Sequence, residues 1–306
     1  MATAVGWTWS WRPPTTTVTC PRRSSPLSLP LPCFRVVHES KTRPFKVCCD
    51  YSCFELKDVS YQPPGTKVNL LDGVSFSLRE KSFGLIFGRS GSGKTTLLQL
   101  IAGFSKPTSG SIHVQRYGND GCPNRLPELL NANKVGIVFQ FPERYFVAEK
   151  VFDEVIFGWA RQKGGSQLKE LLDLRLQKAI TSVGLTGIAL DQDPQSLSGG
   201  YKRRLALAIQ LVQAPDLLLL DEPLAGLDWR ARADVVKLLK NLKKELTILV
   251  VSHDLKELSC LVDQSWRMEM GGMLKERYEE PRFILALHRV QASPLIPNDI
   301  LITSSQ

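Results

Sequence analysis

The feature that most restricts the fold of this chain is a glycine-rich loop between an apolar run and a helical run. SFGLIFG (82–88) is a short apolar run ending in glycine, which is typical of a buried parallel strand. GRSGSGKTT (88–96) fits G-x-x-x-x-G-K-[ST], and TTLLQLIAGF (95–104) continues with helical spacing. This strand–loop–helix order predicts a phosphate-binding loop at the head of a helix.

The residue types of the loop suit a nucleotide. Glycines let backbone N–H groups turn toward phosphate oxygens, and the helix N-terminus adds its positive end. We expect Lys94 to reach the β- and γ-phosphates of ATP and Thr95 to hold Mg²⁺. A chance Gly/Ser loop is the alternative, but the flanking strand and helix argue against it. The predicted nucleotide-binding residues here are Gly88, Arg89, Ser90, Gly91, Ser92, Gly93, Lys94, Thr95 and Thr96.

A second apolar run, LLLLDEP (217–223), ends in two acidic residues. The strand should carry Asp221 to the carboxyl edge of the sheet, where ligands bind in such folds. Asp221 would hold Mg²⁺ through water, and Glu222 would act as the general base on the attacking water. An acidic helix cap after a core strand is the alternative, and the first motif makes it the weaker interpretation.

The rest of the chain alternates predicted strands and helices, which indicates an α/β fold with a parallel sheet covered by helices. Residues 141–194 lack clear strands and suggest a helical insertion, 118–133 suggest a surface loop, and no pattern is interpretable after about 276. No apolar stretch approaches eighteen residues, so no membrane span is predicted. Further strands are expected at 134–140, 216–222 and 246–253, and helices at about 167–184, 201–213 and 229–243.

Charge and cysteine are concentrated at the N-terminus. The first fifty residues hold seven Lys or Arg and two acidic residues, so most of the net charge of +9 lies there, and the remainder is too weakly basic to predict nucleic-acid binding. Five of the seven cysteines precede residue 54 and no CxxC pair is present, which excludes a disulfide framework or a zinc module of that type and favours a reduced, intracellular body.

Residues 1–50 are rich in Ser, Thr, Pro and Arg, with Glu39 as the single acid before Asp50. This composition is typical of an organelle transit peptide, and we favour a plastid over a mitochondrial one. A disordered basic tail without a targeting function is the alternative.

The segment QSLSGGYKRRLALAIQL (195–211) has a second apparent anion site. Ser198, Gly199 and Gly200 would offer bare amides, a hydroxyl and a helix N-terminus. Because the chain already has a triphosphate loop, we expect this second site to serve the nucleotide of another subunit. LSGGYKRR resembles the signature of ATP-binding-cassette (ABC) ATPases, which usually ends LSGGQ; here Tyr201 replaces the glutamine.

The resemblance covers about residues 53–275. It implies the ABC ATPase fold, with a P-loop NTPase core, an antiparallel β subdomain and a helical subdomain at about 141–200, and it leaves 276–306 as a tail of unknown role. It also implies ATP and Mg²⁺ as cofactors. Implied roles are Tyr61 stacking on adenine, Gln140 as a Q-loop residue and Mg²⁺ ligand beside Thr95 and Asp221, Asp228 in the D-loop, and His253 as the switch histidine.

One stretch indicates which group of ABC ATPases the chain resembles. VFQFPERYFVAEKVFDEVIFG (138–158) looks like the ATPases of energy-coupling-factor (ECF) transporters and, with the N-terminus, like plastid-targeted non-intrinsic ABC proteins. This implies a head-to-tail homodimer or a heterodimer with a related ATPase. It also implies a separate transmembrane protein met through 140–158, uptake of a vitamin or a transition metal, and a position in the chloroplast stroma, peripheral to the inner envelope.

Two alternatives remain open. One is a soluble ABC ATPase without a transport role, for example in iron–sulfur assembly or DNA maintenance, although no coiled coil or zinc module is visible. The other is a non-enzymatic nucleotide switch, against which the presence of Glu222 and His253 argues. Aromatic crowding after Gln140 favours a partner surface over a subdomain core, because the Pro-Glu-Arg of 142–144 interrupts the helical pattern. The residues of this crowded segment are Phe141, Pro142, Tyr145, Phe146 and Phe152.

Overall fold

Two β-sheets and six α-helices make up the computed structural model, which describes residues 51–118, 122–157 and 166–279. The strands are β1 (Tyr51–Tyr61), β2 (Leu71–Arg79), β3 (Phe83–Gly88), β4 (Ser109–Tyr117), β5 (Glu128–Leu129), β6 (Val135–Val138), β7 (Leu217–Asp221), β8 (Thr247–Val251), β9 (Gln264–Met268) and β10 (Leu274–Glu279). The α-helices are α1 (Lys94–Ile101), α2 (Val151–Val155), α3 (Ser166–Val183), α4 (Gly199–Val212), α5 (Trp229–Leu242) and α6 (Leu255–Leu258). Short 3₁₀ turns lie at Ala132–Lys134, Pro142–Tyr145, Pro194–Ser196 and Ser259–Leu261.

The larger sheet has the strand order β10-β9-β3-β8-β7-β6, and all of its pairs are parallel except β10 with β9. Its central strands are continuously apolar because both of their faces are covered. Along β7 and β8 the side chains alternate between two cores: Leu218 and Val250 pack with α3, α4 and α5, while Leu219 and Leu249 pack with α1 and the second sheet. This burial fixes the register, so the carboxyl ends of β3, β7 and β8 lie side by side.

The smaller sheet is antiparallel, in the order β2-β1-β4-β5. Phe54, Leu56 and Phe76 point from it into the core shared with α1. Alternation of buried and exposed residues along β2 is typical of an antiparallel strand with one solvated face.

The α/β fold predicted from the sequence is confirmed. α3, α4 and α5 lie within two residues of their expected bounds, and α1 ends three residues before the expected 104. Some details were wrong. β6 ends at Val138, so Gln140 follows the strand rather than ending it. The hairpin of β9 and β10 was missed, and the expected loop at 118–133 contains the short strand β5. Regular structure runs from Tyr51 to Glu279, slightly beyond the range 53–275.

The transit peptide predicted for residues 1–50 and the tail after Glu279 lie outside the described residues. Within the described ranges, no helix combines the length and apolarity needed to cross a membrane.

Candidate active site

The predicted phosphate loop lies between β3 and α1. Lys94 opens α1 and is 9% exposed, and its Nζ donates to the carbonyl oxygens of Gly88 at 3.0 Å and Arg89 at 2.8 Å. Burial lowers the pKa of Lys94, while Glu222 and Asp221 oppose that shift. The loop therefore curls around a cation that is held by its own backbone oxygens and is poorly solvated.

Two loop glycines have no tolerable substitute. Gly93, the N-cap of α1, has a φ of 98°, and a Cβ there would lie 2.9 Å from the carbonyl oxygen of Leu70. A Cβ on Gly88 would lie 2.2 Å from the carbonyl oxygen of Met268. Glycine is thus required both by backbone conformation and by the close approach of β9 and of the turn before β2. The hydroxyl of Ser92 is buried without a hydrogen-bond partner.

Thr95 and Asp221 meet across the edge of the sheet. The Thr95 hydroxyl donates to Oδ2 of Asp221 at 2.9 Å. Burial raises the pKa of Asp221, the Thr95 hydrogen bond lowers it, and the neighbouring Glu222 raises it. A hydroxyl and a carboxylate are hard oxygen donors of the kind that Mg²⁺ accepts, and their contact shows that one ion could bridge them. The two residues therefore fit a magnesium ion beside the phosphate loop.

Glu222 follows β7 with a φ of 47° and is held by the loop after β8. Its Oε2 accepts from the Ser252 hydroxyl at 2.9 Å and from the His253 N–H at 3.3 Å. Its Oε1 lies 2.9 Å from His253 Nδ1, and this hydrogen bond raises the pKa of His253. The Glu222 carboxylate is thus oriented by the Ser252 hydroxyl, the His253 N–H and the His253 ring.

The remaining predicted residues surround this centre without joining it. Gln140 is half-buried in the loop after β6, and Tyr61 ends β1 and packs against the α1-side core. Asp228 caps α5 by accepting from the Ala231 N–H at 2.8 Å. Ser198 is the exposed N-cap of α4; Gly199 and Gly200 begin that helix, and their side-chain neighbours are Leu227 and Ala231 rather than the phosphate loop.

Sequence reasoning missed two residues of this region. Ser252 is completely buried, and besides bonding Glu222 it accepts the Asp254 N–H at 3.0 Å. Its position between β8 and the predicted switch histidine, in VVSHD, is the signal that could have indicated it. Arg203 is 4% exposed and bonds carbonyl oxygens of Phe139 and Ala225.

The crowded aromatic segment is partly exposed, as predicted. Tyr145 is 59% exposed, whereas Pro142 is buried and Phe146 packs against the core. Phe139 stands between Tyr145 and Phe104, with ring centroids 4.9 Å and 6.0 Å away. Phe104 follows α1 and is 63% exposed. We call Phe104, Phe139, Phe141 and Tyr145 the aromatic surface.

Comparison with known proteins agrees with this geometry. A family profile described as "ABC transporter" matches residues 71–225, which include the phosphate loop, Gln140, the signature and Glu222. The chain belongs to the ABC transporter ATP-binding family. It is an ATP-binding subunit of a family of ATPases, as the motifs predicted.

Among its relatives, "ABC transporter I family member 11, chloroplastic" of Arabidopsis thaliana is 72% identical over 232 residues, which are 76% of this chain and 84% of the relative. "Energy-coupling factor transporter ATP-binding protein EcfA2" of Acetivibrio thermocellus is 38% identical, over 68% of this chain and 74% of its own.

Solved structures agree. The structure of cbiO1 from Clostridium perfringens, described as part of the ABC transporter complex cbiONQ, has a TM-score of 0.64 at 27% identity and covers 79% of this chain and 93% of its own. The dimeric structure of MJ0796, described as a bacterial ABC transporter cassette, has a TM-score of 0.55 at 25% identity and covers 74% and 98%.

Proposed function

We propose that this ABC-family subunit hydrolyses ATP with Glu222 as general base and drives transport through a separate membrane protein of the chloroplast. The observation that carries the chemical part is the arrangement at one edge of the sheet. Lys94, Thr95 and Asp221 lie on one side of Glu222, and Ser252 and His253 hold that carboxylate from the other.

ATP binding would begin at Lys94. Its ammonium group bonds two carbonyl oxygens of the loop, and the β- and γ-phosphates would offer stronger, charge-assisted partners. The amides of the loop and the N-terminus of α1 would hold the remaining oxygens. Thr95 and Asp221 would hold Mg²⁺, which supplies positive charge against the phosphate oxygens.

Hydrolysis would use the orientation of Glu222. A water beside the γ-phosphate would give its proton to this carboxylate, which Ser252 keeps in place. His253 is 67% exposed in the described chain, so it can turn from Glu222 toward a γ-phosphate. There its imidazole would donate a hydrogen bond to the oxygens on which charge develops.

The signature would act across a dimer. Ser198 and Gly199 are exposed at the start of α4, so they are accessible to a nucleotide bound by another subunit. Two-fold pairing would make each signature complete the opposite site. The MJ0796 cassette is described as dimeric, which supports this arrangement. The partner is a second copy or a related ABC ATPase.

The transport role is inferred from the aromatic surface and the relatives. Exposed aromatic clusters mark protein contacts, and this one adjoins Gln140, so partner position and nucleotide state can bias each other. The relatives named EcfA2 and cbiO1 are described as parts of transporters, which supports a transport role, and we propose a vitamin or a transition metal as the cargo. The relative described as chloroplastic supports a position in the chloroplast, and we propose the stromal side of the inner envelope.

The test is affinity purification of the tagged chain from solubilised chloroplast envelope membranes, followed by identification of what co-purifies. The wild type should bring down a membrane-spanning protein, and vesicles holding that complex should take up a labelled metal ion or vitamin only with ATP. The double variant Phe104→Ala, Tyr145→Ala should lose the membrane protein and keep ATP binding, since both side chains are more than half exposed.

A matched control is Leu126→Ala with Leu129→Ala, which removes two exposed apolar side chains from around β5, 88% and 81% exposed. This control should co-purify like the wild type. Recovery of soluble proteins alone by the wild type would contradict the transport role and favour a soluble ATPase. Normal recovery by the aromatic variant would place the contact elsewhere on the chain.

A further inference from the structure

One buried arginine links three segments of the active-site region. Arg203 lies one turn into α4 and is 4% exposed. Its Nη1 donates to the carbonyl oxygen of Phe139 at 2.9 Å, and its Nη2 donates to the carbonyl oxygen of Ala225 at 3.2 Å. A single planar guanidinium therefore holds the signature helix against two separate loops.

These two loops leave neighbouring strands at the edge that carries the phosphate site, since β6 and β7 pair in parallel. Phe139 directly precedes Gln140, and Ala225 lies between Glu222 and Asp228. Any displacement of α4 relative to the sheet must move these carbonyl groups or break their hydrogen bonds. Arg203 is thus the side chain through which α4 contacts both loops.

Stability alone explains this residue poorly. Burying a guanidinium costs desolvation free energy, which hydrogen bonds to carbonyl groups offset only in part. A well-packed apolar side chain at such a position is often equally or more stabilising. Burial lowers the pKa of Arg203, while the charges of Glu143 and Asp221 oppose that shift. Its Nε is buried without a hydrogen-bond partner, and among the described residues no carboxylate forms an ion pair with it.

The two carboxylates that act on Arg203 belong to different functions. Asp221 lies beside the phosphate loop, and Glu143 lies in the 3₁₀ turn Pro142–Tyr145, next to the aromatic surface. Arg203 therefore interacts electrostatically with one carboxylate beside the phosphate loop and with one carboxylate next to the aromatic surface. A spare Nε donor allows a second hydrogen-bond arrangement when α4 shifts.

We propose that Arg203 is a positioning residue that couples the two ATP sites of the dimer. This coupling role rests on the dimer of the proposed function, in which α4 completes the ATP site of the other subunit. When the phosphate bound by the other subunit contacts α4, the resulting shift of α4 would be passed by the Arg203 guanidinium to the loops of Gln140 and Asp228. These loops border the chain's own site. Arginine suits this role because its guanidinium carries donors on separate nitrogens in a rigid planar fork, so it holds carbonyl groups of two different loops in one fixed geometry, whereas the donors of a lysine share a single nitrogen.

The experiment compares Arg203→Met and Arg203→Lys in the full chain. ATP affinity is measured by titration calorimetry, steady-state ATPase activity gives kcat and the Hill coefficient, and a thermal melt gives Tm. Both variants should bind ATP within about twofold of the wild type, because Lys94 and its loop are untouched. The Hill coefficient should approach 1, because the coupling of ATP binding between the two sites, usually about 5- to 150-fold in affinity, is lost, and kcat should fall with it.

The adjacent residue provides a matched control. Arg204 donates from Nη1 to the carbonyl oxygen of Val183 at 3.1 Å and from Nη2 to Asp234 at 2.9 Å, so it bonds helices rather than active-site loops. Arg204→Lys should keep the wild-type kcat and Hill coefficient even if its Tm falls.

The outcomes separate the coupling from the function on which it rests. If both Arg203 variants change only Tm and keep the kcat and Hill coefficient of a cooperative wild type, the residue is structural and the coupling is overturned. If the wild type binds ATP without dimerising, the dimer is overturned and the coupling with it. Loss of cooperativity in Arg203→Lys, which keeps the charge, supports the two-donor link.

Discussion

Replacing Ser252 by alanine isolates the orientation of the proposed base from its chemistry. The Ser252 hydroxyl donates to Glu222 Oε2 at 2.9 Å and accepts the Asp254 N–H at 3.0 Å, and the side chain is fully buried. The Ser252→Ala variant keeps the Glu222 carboxylate but removes the hydrogen bond that the Ser252 hydroxyl donates to it. Glu222 would then be free to follow the exposed His253 toward solvent.

The structure sets the size of the effect. A hydrogen bond to a charged group contributes about 1.5–3 kcal/mol, and a tenfold rate change corresponds to about 1.4 kcal/mol. If the full contribution is lost from the transition state, kcat should fall by roughly 10- to 150-fold. The Asp254 N–H that loses its acceptor should lower the free energy of unfolding by about 1 kcal/mol in addition. ATP affinity should hardly change, since Ser252 does not contact the phosphate loop's Lys94.

The assay is steady-state ATPase activity with ATP affinity and thermal unfolding measured on the same preparations. Thr247→Val is the control, because Thr247 lies at the other end of β8 and loses a comparable buried hydroxyl bond, 3.0 Å from the Lys81 N–H. It should lower Tm without lowering kcat. An unchanged kcat in Ser252→Ala, or an equal loss in both variants, would refute the positioning role of Ser252.

Three further predictions concern the same centre. Lys94→Ala should weaken ATP binding at least about tenfold in calorimetry, because each charge-assisted bond contributes about 1.5–3 kcal/mol; equal affinity would overturn the nucleotide site. Glu222→Gln should keep ATP binding and lose about 10²- to 10⁴-fold in turnover, the usual contribution of a general base, and near-normal turnover would mean that another group activates the water. NMR titration of His253 should give a pKa above its ordinary value of 6.5 in the wild type and a lower one in Glu222→Gln. Because the pKa of His253 is raised in the folded state, the His253–Glu222 pair stabilises the protein below about pH 6.5, and this contribution disappears as pH rises through the folded-state pKa. A Tm difference between wild type and His253→Ala that grows with pH would contradict this.

The sequence was sufficient for the parts of the fold that repeat a strong pattern. Buried parallel strands such as β3, β7 and β8 are continuously apolar, and the phosphate loop fixes the strand before it and the helix after it. Parallel pairing then brings the carboxyl ends together, which is why Thr95 and Asp221, 126 residues apart, could be expected to meet. No such pattern marks β9 and β10: each is short, and β10 is an edge strand with a single partner.

The residues that sequence reasoning missed act through tertiary contacts. Ser252 and Arg203 lie inside segments that the sequence already marked, VVSHD and LSGGYKRR, but their roles follow from which carboxylate or carbonyl group folding places beside them. Phe146 was wrongly grouped with the exposed aromatic residues, because spacing within an irregular segment does not decide which ring turns inward. Phe104 joins the aromatic surface from a different part of the chain altogether.

The two adjacent acids show how local backbone conformation divides the chemistry between residues. Asp221 is the last residue of β7 and pairs with Val251 of β8, so its side chain points across the edge to Thr95. Glu222 leaves the strand with a φ of 47°, a conformation that costs a non-glycine residue on the order of 1–3 kcal/mol. Its N–H still bonds the Val251 carbonyl oxygen at 2.8 Å, which holds the turn in place. The turn carries the Glu222 carboxylate to Ser252 and His253 rather than to Thr95. The strained turn therefore separates the carboxylate that contacts Thr95 from the one that we propose as the general base, although the two residues are neighbours in the chain.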